Sequence, residues 1–211
     1  MIAPRLTVAI LAGGEASRLG GRDKGLELLG GRPLVEWAIE YCASRVAPAV
    51  ASDASDGLHG LDLVVIANRH REEYARYARV RADLAAGFRG PLAGIASALD
   101  AAEAPLLMTL PVDCPRPPRD LAERLLDALQ GASATAVVAH DGERRQPLFA
   151  LYRRSLAAQA AEAALAKRGV WEWQDAIGAV EVDFTDRRRQ FHNLNTPEDF
   201  ASYADDARTR D

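Results

Sequence analysis

Directly after its first apolar run the chain reads LAGGEASRLGGRDKGLELLGG, which crowds Gly13, Gly14, Gly20, Gly21 and Gly25 around Arg18 and Lys24. Glycines let backbone N–H groups turn around an anion with no Cβ in the way. Arg18 and Lys24 add charge of the matching sign. The lysine stands out, because of 26 Lys plus Arg only Lys24 and Lys167 are lysines. Lysine carries a compact point charge on a thin stem, where arginine carries a wide planar fork. The chemistry these residues spell is phosphate binding, although a solvated turn with stray charges has the same composition. Two common phosphate motifs fail here. A P-loop needs G-x-x-x-x-G-K-[ST], but five residues separate Gly14 from Gly20 and Gly25 follows Lys24. Gly13-Gly14-Glu15 does not supply the G-x-G-x-x-G of a dinucleotide site.

A second group lies far along the chain. Asp113 in Pro111-Val112-Asp113-Cys114-Pro115 follows the apolar run Leu106–Leu110. A carboxylate at that point suits Mg²⁺, which takes one or two carboxylates plus substrate phosphates; it also suits the capping of a turn. Asn193 and Asn195 stand just before a helix start at Thr196-Pro197-Glu198-Asp199, where Asn is also a cap. Arg144, Arg145 and Gln146 fall in the polar turn HDGERRQ, as ligand groups or as idle exposed charges. His59, His70, His140 and His192 have no ligand spacing and read as surface or packing residues. Cys42 and Cys114 are far apart and read as free thiols of a reducing cytoplasm, with no zinc site. Trp171 and Trp173 read as core or lid packing. No Ser, Cys or His triad is visible.

Such residues need a frame, and strand and helix signals alternate along the chain. Leu6–Leu11, Leu63–Ala67, Val80–Ala82, Leu106–Leu110, Thr135–Ala139, Leu148–Tyr152 and Val180–Phe184 read as strands. Helical stripes follow at Leu34–Cys42, 72–77, 90–102, Leu121–Leu129 and Arg154–Lys167, the last ended by Gly169. Residues 48–62 are small and polar and read as a surface loop. The pattern predicts a single α/β domain over 1–204 with a mostly parallel central sheet, and a frayed tail over 205–211. In such sheets ligands bind beyond the C-terminal ends of the strands, here after Leu11, Ala67 and Leu110. The formal net charge of −4 offers no basic surface for nucleic acid. No run is long enough to span a membrane, and MIAPRLTVAILAGG reads as a buried first strand and not as a signal peptide.

L-A-G-G-x-x-x-R-L-G-G-x-D-K-G-L over residues 11–26 resembles the signature of the molybdenum cofactor guanylyltransferases, the MobA family, within the wider nucleotidyltransferases. The likeness continues in order through Asn68-Arg69-His70, Gly90-Pro91-Leu92-Ala93-Gly94, Pro111 to Pro115, His140 to Pro147 and Asn193-Leu194-Asn195-Thr196-Pro197-Glu198. It implies a three-layer Rossmann-like nucleotidyltransferase fold and an enzyme that moves GMP from GTP to the molybdenum–molybdopterin cofactor, releasing pyrophosphate. It implies Mg²⁺ on Asp113, with Lys24, Arg18 and Asp113 as the catalytic groups. It implies nucleotide contacts at Leu11, Ala12, Gly13, Gly14, Lys24, Asp83 and Asp113, and a base pocket lined by Gly90 to Gly94. It places Asn193, Asn195 and Arg145 at the acceptor. A cytoplasmic setting and transient contact with cofactor-inserting or molybdoenzyme maturation proteins go with that reading. The alternatives are a cytidylyltransferase on the same pterin, a sugar-phosphate nucleotidyltransferase and a non-catalytic carrier. The chain departs from the family at Ile66, where members often carry Asn, and 48–62 is longer than the usual connection.

Overall fold

The computed structural model describes residues 6–12, 22–50, 61–84, 90–131 and 133–208, with 204–208 as backbone only. Gly13, Gly14 and Arg18 lie outside the described residues, as do 51–60 of the expected loop and 209–211 of the expected tail.

The strands are β1 (Leu6–Leu11), a short hairpin of β2 (Leu28–Leu29) and β3 (Arg32–Pro33), β4 (Leu61–Ile66), β5 (Arg79–Arg81), β6 (Leu106–Pro111), β7 (Ala136–His140), β8 (Arg145–Arg153) and β9 (Val180–Asp183). Seven of them form one sheet in the order β5-β4-β1-β6-β8-β7-β9. All its pairings are parallel except the two made by β8. The central strands β1 and β6 are buried along their whole length. A strand covered on both faces has no reason to alternate with polar residues, which is why LTVAIL and LLMTLP read as near-continuous apolar runs.

Two cores fill the two faces, and the period-2 geometry of strands sorts residues between them. Leu6, Val8, Ile10, Met108, Leu110, Val137, Phe149 and Leu151 face one core, with α1 (Leu34–Tyr41) and α5 (Leu121–Gly131). Ala9, Leu11, Ile66, Leu107, Val138, Ala150 and Tyr152 face the other, with α4 (Pro91–Ala101), α6 (Ala157–Leu165) and Trp173 of α7 (Val170–Ala176). The result is the expected three-layer α/β arrangement. The remaining helices are α2 (Ala47–Val50), which continues α1 through a π-helical turn, α3 (Arg71–Tyr74) and α8 (Pro197–Arg208).

Several boundaries differ from the sequence reading, each for a local reason. Helix runs through Val50, whose side chain is buried, and β4 begins at Leu61, so both ends of the expected loop at 48–62 belong to elements. The last helix reaches Arg208, four residues into the expected tail. Arg145 and Gln146 are not in a turn. They open β8, paired with His140 and Ala139, because Asp141 folds the turn tightly by accepting the N–H groups of Glu143 and Arg144, both at 2.8 Å. Gly142 in that turn sits at φ +93°, with a Cβ position only 2.7 Å from Thr185 Oγ1, so only glycine fits. Helix α7 fills a segment that carried no periodic signal.

The stop of α6 is also displaced. Lys167, at φ +56°, takes the left-handed position, while Gly169 at φ −68° caps the start of α7. Lys167 N–H bonds to Ala164 O and Arg168 N–H to Ala163 O, both at 3.0 Å, which is a Schellman closure with lysine where glycine is usual. Lys167→Gly should therefore raise stability by about 1 kcal/mol, because a side chain in this region costs about that much. An unchanged urea midpoint would show that the Lys167 side chain recovers the cost elsewhere.

Candidate active site

Because β1, β4, β5 and β6 are parallel, their C-terminal ends share one rim of the sheet. Antiparallel β8 brings its first residues to the same rim, opposite His140. The rim therefore collects Ala12, Ala67–His70, Ala82–Leu84, Val112–Cys114 and Asp141–Gln146.

Lys24 arrives from a 3₁₀ turn over Lys24–Leu26. Its Nζ lies 2.5 Å from Asp113 Oδ2 and donates to Asn195 Oδ1 at 2.7 Å. The pair is mostly buried, with 20% and 15% of the Lys24 and Asp113 side chains exposed. Asp113 Oδ1 is buried and has no hydrogen-bond partner among the described residues. A buried carboxylate oxygen left over in this way is what a divalent cation or a ligand proton would satisfy. No group of three or more His, Cys, Asp or Glu among the described residues could hold a metal unaided. A cation on Asp113 would thus depend on oxygens from its substrate, the usual habit of Mg²⁺.

The asparagines are positioned by the segment before α8. Leu194 N–H bonds to Asp113 O at 2.8 Å, stitching this segment to the end of β6. Asp199 Oδ2 accepts the N–H groups of Asn195 and Thr196 at 2.7 and 2.8 Å, while Asp199 N–H returns to Thr196 Oγ1 at 3.2 Å. This is the reciprocal capping of Thr-Pro-Glu-Asp, used here to aim Asn195 at Lys24. Asn193 points elsewhere: its Oδ1 is buried without a partner among the described residues, and it lines a cleft.

That cleft, of about 240 Å³, exists because the sheet splits. The β6·β8 ladder stops at Thr109↔Ala150, and the β7·β8 register jumps from Val138↔Ala150 to Ala139↔Gln146. Pro147 in the bulged stretch has no N–H to donate, and Pro111 at the end of β6 has none either. The gap between them is lined by Pro111, by Arg144–Phe149, by Trp171 and by Asn193.

Arg145 and Asn193 do meet in this cleft, but the Arg145 guanidinium is already engaged. It bonds to Asp175 Oδ1 at 2.6 Å and to Glu181 Oε1 at 3.0 and 2.9 Å, tying β8 to α7 and β9. Neighbouring Arg144 also lines the cleft and makes no ion pair among the described residues. Of the two tryptophans expected in core or lid packing, Trp171 is 47% exposed, against 1% for Trp173. Residues two apart on a helix face opposite ways, so the spacing of this pair already required one indole to point outward.

The remaining expected contacts are scattered along the rim. Ala12 N–H donates to Ile66 O at 3.0 Å and Leu11 O accepts from Val112 N–H at 3.2 Å. The Ala12 amide is therefore committed to the sheet. Asp83, after β5, is tied to Asn68 after β4: Asn68 Nδ2 donates to Asp83 Oδ2 at 2.7 Å and Asp83 N–H to Asn68 Oδ1 at 2.9 Å. Asp83 sits three strands from Asp113, about 14 Å at the usual strand spacing, so the two do not form one cluster. Ile66 faces α4, with its Cγ2 3.8 Å from the Cβ position of Gly94. Cys42 and Cys114 are free and buried. Burial pushes the Cys42 thiol up to about 12 and the Cys114 thiol higher still, so neither is a nucleophile near neutral pH.

Residues 8–181 match the MobA-like NTP transferase domain. The chain belongs to that family. Curated relatives include the molybdenum cofactor guanylyltransferase of Shewanella amazonensis, 39% identical over 196 residues that cover 92% of this chain and 93% of that protein. Its counterpart from Shewanella piezotolerans is 37% identical over 195 residues, covering 92% and 89%. Among solved structures, the molybdopterin-guanine dinucleotide biosynthesis protein A of Archaeoglobus fulgidus superposes with a TM-score of 0.74 at 24% identity, covering 97% of this chain and all of that one. That likeness shows the fold. The expected nucleotidyltransferase fold is thus the observed one, and the MobA-like match spans β1 through the start of β9.

The amides of Asn195 and Thr196 hold the Asp199 carboxyl below its ordinary 3.8. A carboxyl depressed by folding contributes stability above its unfolded value and loses it as pH falls through the folded value. Asp199→Ala should therefore lower the thermal midpoint at pH 7, and the deficit should shrink as pH drops below about 4. A deficit of constant size from pH 7 to pH 3 would rule out the carboxylate as its source.

Proposed function

We propose that this chain transfers GMP from GTP to the molybdenum–molybdopterin cofactor, forming the guanine dinucleotide cofactor and pyrophosphate. The observation that carries this reading is the Lys24–Asp113–Asn195 cluster at the end of the central strand, with Asp113 Oδ1 left unpartnered. The curated MobA-like relatives support the choice of base and acceptor.

The acceptor phosphate is itself the nucleophile. Its oxygen bonds to the α-phosphorus of GTP while the bond from that phosphorus to the α,β-bridging oxygen breaks, and pyrophosphate leaves with the electron pair. No side-chain nucleophile is required, which suits a site whose thiols are buried and protonated. Catalysis is then alignment and charge stabilisation. Lys24 has three N–H donors and two acceptors among the described residues, so a third N–H remains for a phosphate oxygen. Arg18 would add a second charge from the glycine-rich segment. A Mg²⁺ ion held by Asp113 and the substrate phosphates would neutralise charge on the transferring group. Leu11, Ala12, Gly13 and Gly14 would line the nucleotide. The Asn68–Asp83 pair would form its wall at the far end of the rim, the base end, with Gly90 to Gly94 beside it.

The cleft at the sheet split takes the acceptor. An exposed indole offers a flat apolar face to a fused heterocycle. Arg144 and the unpaired Asn193 Oδ1 offer charge and hydrogen bonding for its polar groups. Arg145 contributes by bracing α7, and so Trp171, rather than by meeting the phosphate. Asn195 lies where the two halves join. The reaction belongs in the cytoplasm, with the product passed on through transient contact with cofactor-inserting or molybdoenzyme maturation proteins. Among the described residues no helix is long and apolar enough to cross a membrane.

Pyrophosphate release should occur with GTP, Mg²⁺ and the molybdenum cofactor, and not with CTP, ATP or UTP. Release with CTP alone would move the chain to the cytidylyl branch, and none with any nucleotide from folded protein would overturn the molybdopterin acceptor in favour of another acceptor such as a sugar phosphate, or of a non-catalytic carrier. Asp113→Asn should lower kcat at least about a hundredfold while the protein stays folded. Trp171→Ala should raise KM for the acceptor about tenfold and leave KM for GTP within about twofold. Equal shifts in both KM values would remove Trp171 from the acceptor side.

A further inference from the structure

The turn that carries Lys24 is held by a residue with no assigned role. Asp23 caps this turn, accepting Gly25 N–H at 3.1 Å on Oδ1. The same Oδ1 accepts the hydroxyl of Tyr74. Tyr74 closes α3, after β4, and is fully buried. Burial raises its phenol well above the ordinary value, so the hydroxyl stays protonated and donates. The fit is close. A Cβ on Gly25 would overlap the Tyr74 hydroxyl and lie 3.1 Å from two ring carbons, so Gly25 has no side chain because the phenol fills that space.

We infer that Tyr74 is a positioning residue for Lys24, acting through Asp23 to fix the turn from which the ammonium reaches Asp113 and Asn195. The reasoning is geometric. The ammonium meets its two partners from segments 89 and 171 residues away, so its place depends on where its own Cα is held. The backbone bonds that define the turn, Leu26 N–H to Asp23 O and Glu27 N–H to Lys24 O, are local and do not anchor it to the sheet. The Tyr74 hydroxyl does, because Tyr74 belongs to the buried core beside β4. The acceptor is one oxygen of Asp23, and an Asn at this position would keep that oxygen. The arrangement therefore needs the acceptor atom and not the carboxylate charge. The catalytic consequence rests on the proposed GMP transfer; the positioning itself does not.

The scarcity of lysine makes a direct test possible. With lysine labelled at ¹³Cε, the chain gives two lysine signals, from Lys24 and Lys167, assigned with Lys167→Arg. Tyr74→Phe and Asp23→Ala should move the Lys24 signal toward the free-lysine position and leave that of Lys167 in place. Asp23→Asn should leave both near wild type. In turnover, Tyr74→Phe should lower kcat about tenfold with KM for GTP within about threefold, as loss of an aligning bond to a charged group would. An unmoved Lys24 signal in Tyr74→Phe would overturn the inference. So would Asp23→Asn moving it as far as Asp23→Ala, which would assign the role to charge. Should Tyr74→Phe fail to fold, the two Asp23 variants carry the same decision. Absence of turnover in the wild type would end the functional reading while the lysine signals still decided this one.

Discussion

The structure of the rim depends on one ammonium group shared by three distant segments. Lys24 comes from a turn near the first strand, Asp113 from the end of β6 and Asn195 from the approach to α8. None of these could be placed by local structure alone. The ion pair is mostly buried, and such a pair is seldom a source of net stability, since desolvating both charges offsets most of their attraction. Removing one partner is another matter, costing about 3–5 kcal/mol by leaving a charge uncompensated. The arrangement therefore constrains the fold more than it stabilises it. Any packing that separates the three segments strands a charge, and the sheet order, the capping by Asp199 and the Leu194–Asp113 backbone bond all serve to keep them together.

A second constraint acts on the other half of the rim. A sheet with every strand paired to its end would have no room for an acceptor beside β6. The pairing of β8 with β6 ends at Ala150, and Pro147 and Pro111 remove the donors that would have continued the ladder. The space so opened would collapse if its walls were free to move. Arg145 prevents this by joining β8, α7 and β9 through Asp175 and Glu181. Its guanidinium is a brace within the wall, and it holds the helix that presents Trp171.

Much of this was legible in the residues, and what was not has a physical pattern. Strands buried on both faces announce themselves as unbroken apolar runs, so β1 and β6 were read at nearly their true bounds. Lys24 and Asp113 stand out beside glycines and prolines at strand ends, but their composition also suits a solvated turn and a turn cap, and it is the family resemblance that gives them their expected roles. What escaped was set by partners remote in sequence. The Arg145 guanidinium is engaged by residues 30 and 36 positions away, which a polar turn composition cannot disclose. The resemblance puts Ala12 at the nucleotide, and nothing in the run LAGG discloses that its amide pairs with a carbonyl of β4. The end of α6 was assigned to glycine by propensity, whereas the chain places lysine in the left-handed position and uses the glycine to open α7. Helix α7 has no clean stripe because one of its tryptophans packs inward while the other lines the cleft.

The choice of lysine at position 24 follows from the same geometry. A guanidinium is planar and best satisfied by two parallel bonds to one carboxylate. Here the acceptors are a carboxylate and a carboxamide on different segments, at 2.5 and 2.7 Å from one atom. A tetrahedral ammonium addresses both oxygens from one atom and still directs a proton toward a third. An arginine could bind Asp113 in its preferred bidentate way or divide its donors between segments, as Arg145 does between Asp175 and Glu181. In the first case it would also cover the second oxygen of Asp113, the one left unpartnered at the rim. In a chain that writes nearly all its positive charge as arginine, the lysine suits a place where a point charge is shared without closing off the carboxylate beside it.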